Sequence, residues 1–187
     1  MDVTPTALPG VLCLKPRRFS DNRGFFSETW SARRMAEAGL EIAFVQDNHS
    51  YSAEAGTLRG LHYQAPPMAQ TKLVRVSKGS VLDVAVDIRA GSPTFGQWVG
   101  QDLSAENGIQ LLIPRGFLHG FITREPETEV LYKVDAFYDP ATDGAVRYDS
   151  PEFGIDWGCD PAQIILSVKD AAAPSFADFT TPFEYDA

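Results

Sequence analysis

The feature that most limits how this chain can fold is a period of two. In residues 81–89, VLDVAVDIR, Leu82, Val84, Val86 and Ile88 fall on one face and Asp83, Ala85 and Asp87 on the other. A strand imposes that alternation because successive side chains point to opposite sides. Residues 128–137, TEVLYKVDAF, repeat it, with Val130, Tyr132, Val134 and Ala136 facing one way and Glu129, Lys133 and Asp135 the other. Shorter runs of the same kind occur at VLCLK, FFSETW, KLVRV, QWVGQDL, IQLLI and FLHGFI. Residues 31–38, SARRMAEA, alone predict a helix, with Ser31 as its N-cap. Many short strands separated by Gly, Pro, Asn and Asp turns predict a sandwich or barrel, and a jelly roll suits this length.

The chain has 187 residues, 44% of them hydrophobic, enough to bury one sizeable core, and it reads as a single domain over 1–187. Its 15 glycines and 13 prolines sit at segment ends and punctuate short elements instead of marking a linker. The amino terminus, MDVTPTALPGVLCL, lacks a basic stretch followed by a long apolar run, and no segment approaches membrane-spanning length. The expectation is a soluble, cytoplasmic protein with no membrane partner. Cys13 and Cys159 are too few and too far apart for a disulfide framework or a four-ligand zinc site. A formal net charge of -9 argues against a nucleic-acid surface, which needs a basic stripe. A small anionic substrate would require a local positive cluster working against the general field.

Candidates for such a cluster lie on the strands. TLRGLHYQ, residues 57–64, sets an arginine and a histidine in a strand otherwise built from residues such as Leu, Tyr and Thr. His62 shares a face with Leu58, Gly60 and Gln64, and strict alternation turns Arg59 the other way. Gly60 between them permits a bulge that brings both inward. Lys72 shares a face with Val74 and Val76, so it either snorkels from the strand end or points inside. Tyr132 projects inward with Val130 and Val134, and its hydroxyl then needs a partner, a backbone carbonyl or something functional. His119 alternates with Phe117 and Phe121 on an aromatic face and by itself reads as a packed histidine.

A metal centre is the first hypothesis for histidines in a small β fold, but it needs three or more ligands. The chain has only His49, His62 and His119; Gln64 stands two after His62, and no carboxylate follows before Lys72. The sequence therefore predicts no bound metal.

DNRGFFSETW, FVQDNHSYS, GTLRGLHYQAPP, AQTKLVRVSKGSVLDVAVDIR, SPTFGQW, QLLIPRGFLHGF, VLYKVDAFYDP and LSVKD occur in that order. Together they resemble the dTDP-4-dehydrorhamnose 3,5-epimerase family of the cupin superfamily, over about residues 8–174. The resemblance implies an all-β cupin jelly roll with short peripheral helices, usually a homodimer, and no cofactor. It also implies a substrate, a dTDP-linked 4-keto-6-deoxy sugar inverted at C3 and C5, the carbons flanking the carbonyl.

Removing a proton beside a ketone requires a base, a positive or hydrogen-bonding group at the carbonyl oxygen, and an acid on the opposite face. His62 is suited to be the base; Asp170, which matches the family's aspartate in LSVKD, would orient it. Lys72 would face the developing oxyanion and Tyr132 would return the proton. By resemblance, Arg23, Arg59 and Lys169 would meet the diphosphate and its neighbours, and Glu28, Gln46, Asn48 and Asp143 would bond the base, ribose or sugar. Asp47 and His119 join the substrate-binding set on the same ground, and Tyr138 would stack on thymine. Two positions depart from the family pattern: Asp143 stands where glutamate is usual, and Val168 where glutamate is common before Lys-Asp. Two alternatives stay open: an enzyme that inverts only C3 or only C5 of a related sugar, and a noncatalytic nucleotide-sugar-binding cupin.

Overall fold

The structure, a computed structural model, describes residues 1–186. In chain order the strands are β1 (Asp2–Pro5), β2 (Leu12–Lys15), β3 (Arg18–Asp21), β4 (Gly24–Ser27), β5 (Gln46–Ser52), β6 (Leu58–Gln64), β7 (Lys72–Lys78), β8 (Ser80–Asp87), β9 (Trp98–Ser104), β10 (Gln110–Ile113), β11 (Phe117–Thr123), β12 (Thr128–Val134) and β13 (Asp143–Ala145). The helices α1 (Ala32–Glu37) and α2 (Val168–Ala171) are short. Six strands pair in the order β1-β2-β10-β7-β12-β5 and five in the order β13-β6-β11-β8-β9, while β3 and β4 form a hairpin of their own. Every strand pairing is antiparallel. Two large sheets face to face make the all-β jelly roll that the alternation predicts.

The period-two runs become strands because each has an apolar face to bury. Val74, Val76, Leu111, Ile113 and Val130 from the larger sheet meet Val81, Ala85, Leu103, Phe117 and Phe121 from the smaller one, forming the core between them. Leu58, Leu61, Val84, Val86, Leu118 and Ile122 face outward from the smaller sheet and are covered by Val146, Phe153, Trp157 and Phe183 of the C-terminal segment. On the far side of the larger sheet, Leu14, Leu73 and Leu112 pack beneath Met35 of α1. The smaller sheet is thus buried on both faces. That arrangement decides which way β8 looks: its fully apolar face turns out to the C-terminal cover, and the face carrying Asp83 and Asp87 turns into the inter-sheet space, where both are fully buried.

Three elements differ from the sequence reading. FFSETW is strand only through Ser27, and TEVLYKVDAF only through Val134. Ser31 does sit at the N-cap of α1 with extended backbone, but its side chain makes no capping bond. Strands β1, β3, β5 and β13 have no apolar alternation to announce them; β5 reads QDNHSYS and is held by its pairing with β12.

The join between β6 and β11 controls the site. His119 pairs with His62 and Phe121 with Arg59, so β6 spends three steps where β11 spends two. The extra residue is a bulge at Gly60, as Gly60 in the sequence permits. It puts Arg59 and His62, an odd number of residues apart, on one face. Gly60 has φ +132, and a Cβ there would lie 2.6 Å from Gly120 Cα and 2.9 Å from the His119 carbonyl oxygen. Gly24 shares this backbone conformation, φ +131, but has open space around it. Gly60→Ala is therefore expected to lose more stability than Gly24→Ala in urea unfolding. Both carry the roughly 1–3 kcal/mol strain of a side chain in that region, and only the first meets backbone. Equal losses would mean that the close approach costs nothing.

Candidate active site

The bulge, the strand registers and α2 converge on one cleft. Its deeper part, a cavity of about 420 Å³, is lined by Arg59 and His62 of β6, Lys72 of β7, His119 and Phe121 of β11, Tyr132 of β12, and Ser167, Lys169 and Asp170 around α2. An adjoining lobe of about 350 Å³ is lined by Gln46, Asn48, Gln64, Gln70, Tyr138 and Asp143. His62, Lys72, Tyr132 and Lys169 line both and so stand where the two meet. His62 enters from the smaller sheet, Lys72 and Tyr132 from the larger one. The imidazole and the phenol therefore reach the cleft from opposite walls.

Asp170 is buried, and its Oδ1 lies 2.5 Å from His62 Nε2. The short helix that carries it is capped by Ser167, whose Oγ accepts from the Asp170 backbone N–H at 3.0 Å. Burial alone would raise the Asp170 carboxyl, but hydrogen bonds from His62, Ser167 and the Gly60 backbone outweigh it and hold the group below the usual carboxylate range. A carboxylate only accepts, so Nε2 carries the proton and Nδ1 keeps a lone pair. The imidazole is about one-third exposed and accessible from the cleft.

Lys72 makes no ion pair among the described residues. Burial pushes its ammonium down to about 8, with Asp83 and Asp143 opposing the fall. It points into the cleft and does not snorkel to the rim. Tyr132 packs against the inter-sheet core, and burial raises its phenol above 10, with Arg59 opposing. Among the described residues its hydroxyl bonds no backbone carbonyl, unlike that of a satisfied core tyrosine. His119 is buried with Nε2 3.0 Å from both oxygens of Asp83; burial lowers its value, against the pull of Asp83, and keeps it neutral near pH 7.

The outer residues form a polar rim. Arg59 is fixed by the Tyr51 carbonyl at 2.9 Å and Ser52 Oγ at 3.3 Å. Lys169 pairs with Asp143, which also accepts from the Tyr138 hydroxyl at 3.3 Å. Gln46 donates to Asn48 Oδ1 at 2.8 Å and accepts from the Tyr138 backbone N–H at 3.2 Å. The Tyr138 ring is half exposed and free to stack on a flat partner. The shorter Asp143 thus still reaches its neighbours. Val168 is 89% exposed, so the departure there removes no contact within this chain.

Three of the sequence candidates lie away from the cleft. Asp47 alternates with Gln46 and Asn48 on β5, and because those two face the cleft it must face away, where it pairs with Lys133 at 2.6 Å. Arg23 sits in the β3–β4 hairpin with its side chain 84% exposed, paired to Asp21 at 2.6 Å. Glu28 follows that hairpin and is exposed. Conversely, the sequence reading passed over Asp83, Gln64 and Ser167. Asp83 was legible only as half of an alternation, and Gln64 only as a missing metal ligand. Among the described residues no group of three or more His, Cys, Asp or Glu is placed to hold a metal ion.

Comparison with known proteins gives a consistent result. The family model described as dTDP-4-dehydrorhamnose 3,5-epimerase matches residues 5–178. The chain is similar to the dTDP-4-dehydrorhamnose 3,5-epimerase of Pseudomonas aeruginosa, 51% identical over 179 residues, 95% of this chain and 97% of that one. Among solved structures it resembles the dTDP-6-deoxy-D-glucose-3,5-epimerase of Legionella pneumophila in complex with dTDP-4-keto-L-rhamnose, 43% identical, TM-score 0.94, covering 100% of this chain and 99% of that one. It also resembles the dTDP-4-dehydrorhamnose 3,5-epimerase of Bacillus anthracis with TDP and PPi bound, 48% identical, TM-score 0.90, covering 94% and 99%.

Proposed function

The chain belongs to the dTDP-4-dehydrorhamnose 3,5-epimerase family, and on that premise we propose how its cleft epimerises dTDP-4-dehydro-6-deoxy-D-glucose at C3 and C5 to dTDP-4-dehydro-L-rhamnose, in dTDP-L-rhamnose biosynthesis. The observation that carries the reading is the placement of an Asp-oriented imidazole and a phenol on opposite walls with an ammonium beside them, the last two without a partner among the described residues. His62 Nδ1 removes the proton from C3 or C5, and the electron pair moves into an enolate whose oxygen faces the Lys72 ammonium. Tyr132 then delivers its phenolic proton to the other face of the same carbon. The protonated imidazole and the phenolate reset by exchange with water, and the second carbon follows. A positioned base contributes about 10²–10⁴ in rate and an oxyanion partner about 10²–10³; neither suffices alone, which is why one cleft gathers all three. Arg59 and Lys169 supply the local positive charge for a diphosphate, and Tyr138 a surface for the thymine ring.

The β3–β4 hairpin exposes Phe19, Phe25 and Phe26, each at least half open to solvent. Apolar surface of that kind is suited to a second copy of the chain. A homodimer formed there would give Arg23 and Glu28, which the single chain leaves outside its own cleft, a route to the partner's. Sedimentation equilibrium at micromolar concentration is expected to show a dimer that Phe26→Asp weakens; a fully active wild-type monomer would overturn it. No helix among the described residues is long and apolar enough to cross a membrane, which together with a charged, polar substrate supports a cytoplasmic location.

Incubation with the substrate in deuterated water tests the reaction. Label at both C3 and C5 is expected; label at one carbon would make the enzyme a monoepimerase, and at neither a binding protein. In Tyr132→Phe the base and the oxyanion partner remain, so exchange at C3 or C5 should outpace inversion. In His62→Asn both should fall together by at least about a hundredfold. If Tyr132→Phe lost exchange as completely as His62→Asn, Tyr132 would not be the opposite-face acid.

Lys72 sets the alkaline limit. Its value of about 8 means that as pH rises through 8 the free enzyme loses the ammonium, and kcat/KM should fall tenfold per unit above it. Tyr132, raised above 10, cannot cause a limb there. Lys72→Arg should carry the limb beyond pH 10, because guanidinium stays charged. A limb still at 8 in that variant would belong to another group.

A further inference from the structure

Asp83 lies on β8 between the two sheets, fully buried, in a layer whose neighbours along the same strand face, Val81 and Ala85, are apolar core residues. Packing alone would be served by an apolar side chain there, since a buried ionised carboxylate is costly unless its charge is compensated. Among the described residues its only ion-pair partner is His119, which burial keeps neutral near pH 7. The charge that balances it therefore comes from elsewhere. Lys72 is the residue that answers: it feels Asp83 as the larger of the two charges opposing its loss of a proton.

The geometry around His119 adds a second consequence. Across the smaller sheet His119 pairs in register with His62 on one side and Ala85 on the other. Two carboxylate–imidazole pairs, Asp83–His119 and Asp170–His62, thus lie side by side on one sheet face. They differ in access: the His62 side chain is 31% exposed and that of His119 only 8%. The first can exchange protons with substrate and water, while the second is held in one form.

We propose that Asp83, which lies behind the cleft wall, is a positioning residue for proton abstraction: it fixes His119 with the proton on Nε2, leaving Nδ1 able only to accept, and it supplies the buried negative charge that balances the Lys72 ammonium. This role rests on the reading of Lys72 as the group facing the enolate oxygen. The other charged or titratable groups around Lys72 are Arg59, His62 and Tyr63 of β6, His119 of β11, Tyr132 of β12, Asp143 of β13, and Lys169 and Asp170 of α2. Two of these are carboxylates, and both are already engaged, Asp143 by Lys169 and Asp170 by His62. Asp83 is the anion that Lys72 does not share with another cation.

The experiment compares the pH dependence of kcat/KM in the wild type, Asp83→Asn and Lys72→Met. Asn keeps the shape and removes the charge. The alkaline limb is expected to move down by about one unit in Asp83→Asn, so that activity at pH 8.5 falls about sixfold further than at pH 6.5, a shift that a merely structural role would not produce. An unmoved limb in folded Asp83→Asn, with Lys72→Met inactive, would overturn the role of Asp83 and leave that of Lys72 standing. Normal turnover by Lys72→Met would instead remove the reading of Lys72 and the charge role of Asp83 with it. Nitrogen-15 spectra of histidine-labelled wild type need no variant and decide the matter should Asp83→Asn fail to fold. His119 is expected to be neutral with its proton on Nε2 at pH 7 to 8; a proton on Nδ1, or an imidazolium, would overturn the proposal.

Discussion

The close approach of β6 to β11 at Gly60 is the constraint on which the cleft depends. Two backbones come together there at a distance that a Cβ would not allow, and the extra residue this accommodates reverses the facing of everything before it on β6. Without it, Arg59 would join Leu61 and Tyr63 against the C-terminal cover, and an uncompensated guanidinium would enter an apolar layer. With it, Leu58 and Leu61 both reach that layer and Arg59 and His62 both reach the cleft. One glycine thus reconciles an apolar outer face with a charged inner one.

The second organising element is electrostatic. The inter-sheet space near the cleft holds Lys72, Asp83 and His119, groups that a core of this size would ordinarily exclude. Their presence is tolerable because they compensate one another. The same burial makes them useful: it brings the ammonium of Lys72 near the working pH, keeps His119 neutral and keeps Tyr132 protonated. The jelly roll supplies rigid walls, and desolvation between them sets the chemistry.

Opposite-wall geometry follows from the strand order. β7 and β12 are neighbours in the larger sheet, so Lys72 and Tyr132 arrive together, with Val134 of β12 registered on Lys72. His62 arrives from the smaller sheet, steadied by an aspartate more than a hundred residues later in the chain. A substrate between the sheets would have an imidazole on one face and a phenol on the other, the geometry that inversion of a carbon by the proposed base and acid requires.

The sequence by itself determined the class of fold, because apolar alternation on β7, β8, β11 and β12 can be satisfied only by facing sheets. It also determined that Arg59, His62, Lys72 and Tyr132 were out of place on such strands, and, through Gly60, that a bulge could turn the first two inward. The tertiary structure alone decided which face of β8 looks inside, since both faces of that strand are covered and the side carrying Asp83 and Asp87 did not have to meet solvent; that put Asp83 in the core and behind the site. It alone recruited β5, whose polar run carries no period and is made a strand by pairing with β12. It also sent Asp47 to the outer face, because alternation on β5 could not be phased until Gln46 and Asn48 were seen facing the cleft. The physical reason is common to all three. Local periodicity records that two faces differ, whereas which face is buried depends on partners brought together from distant parts of the chain.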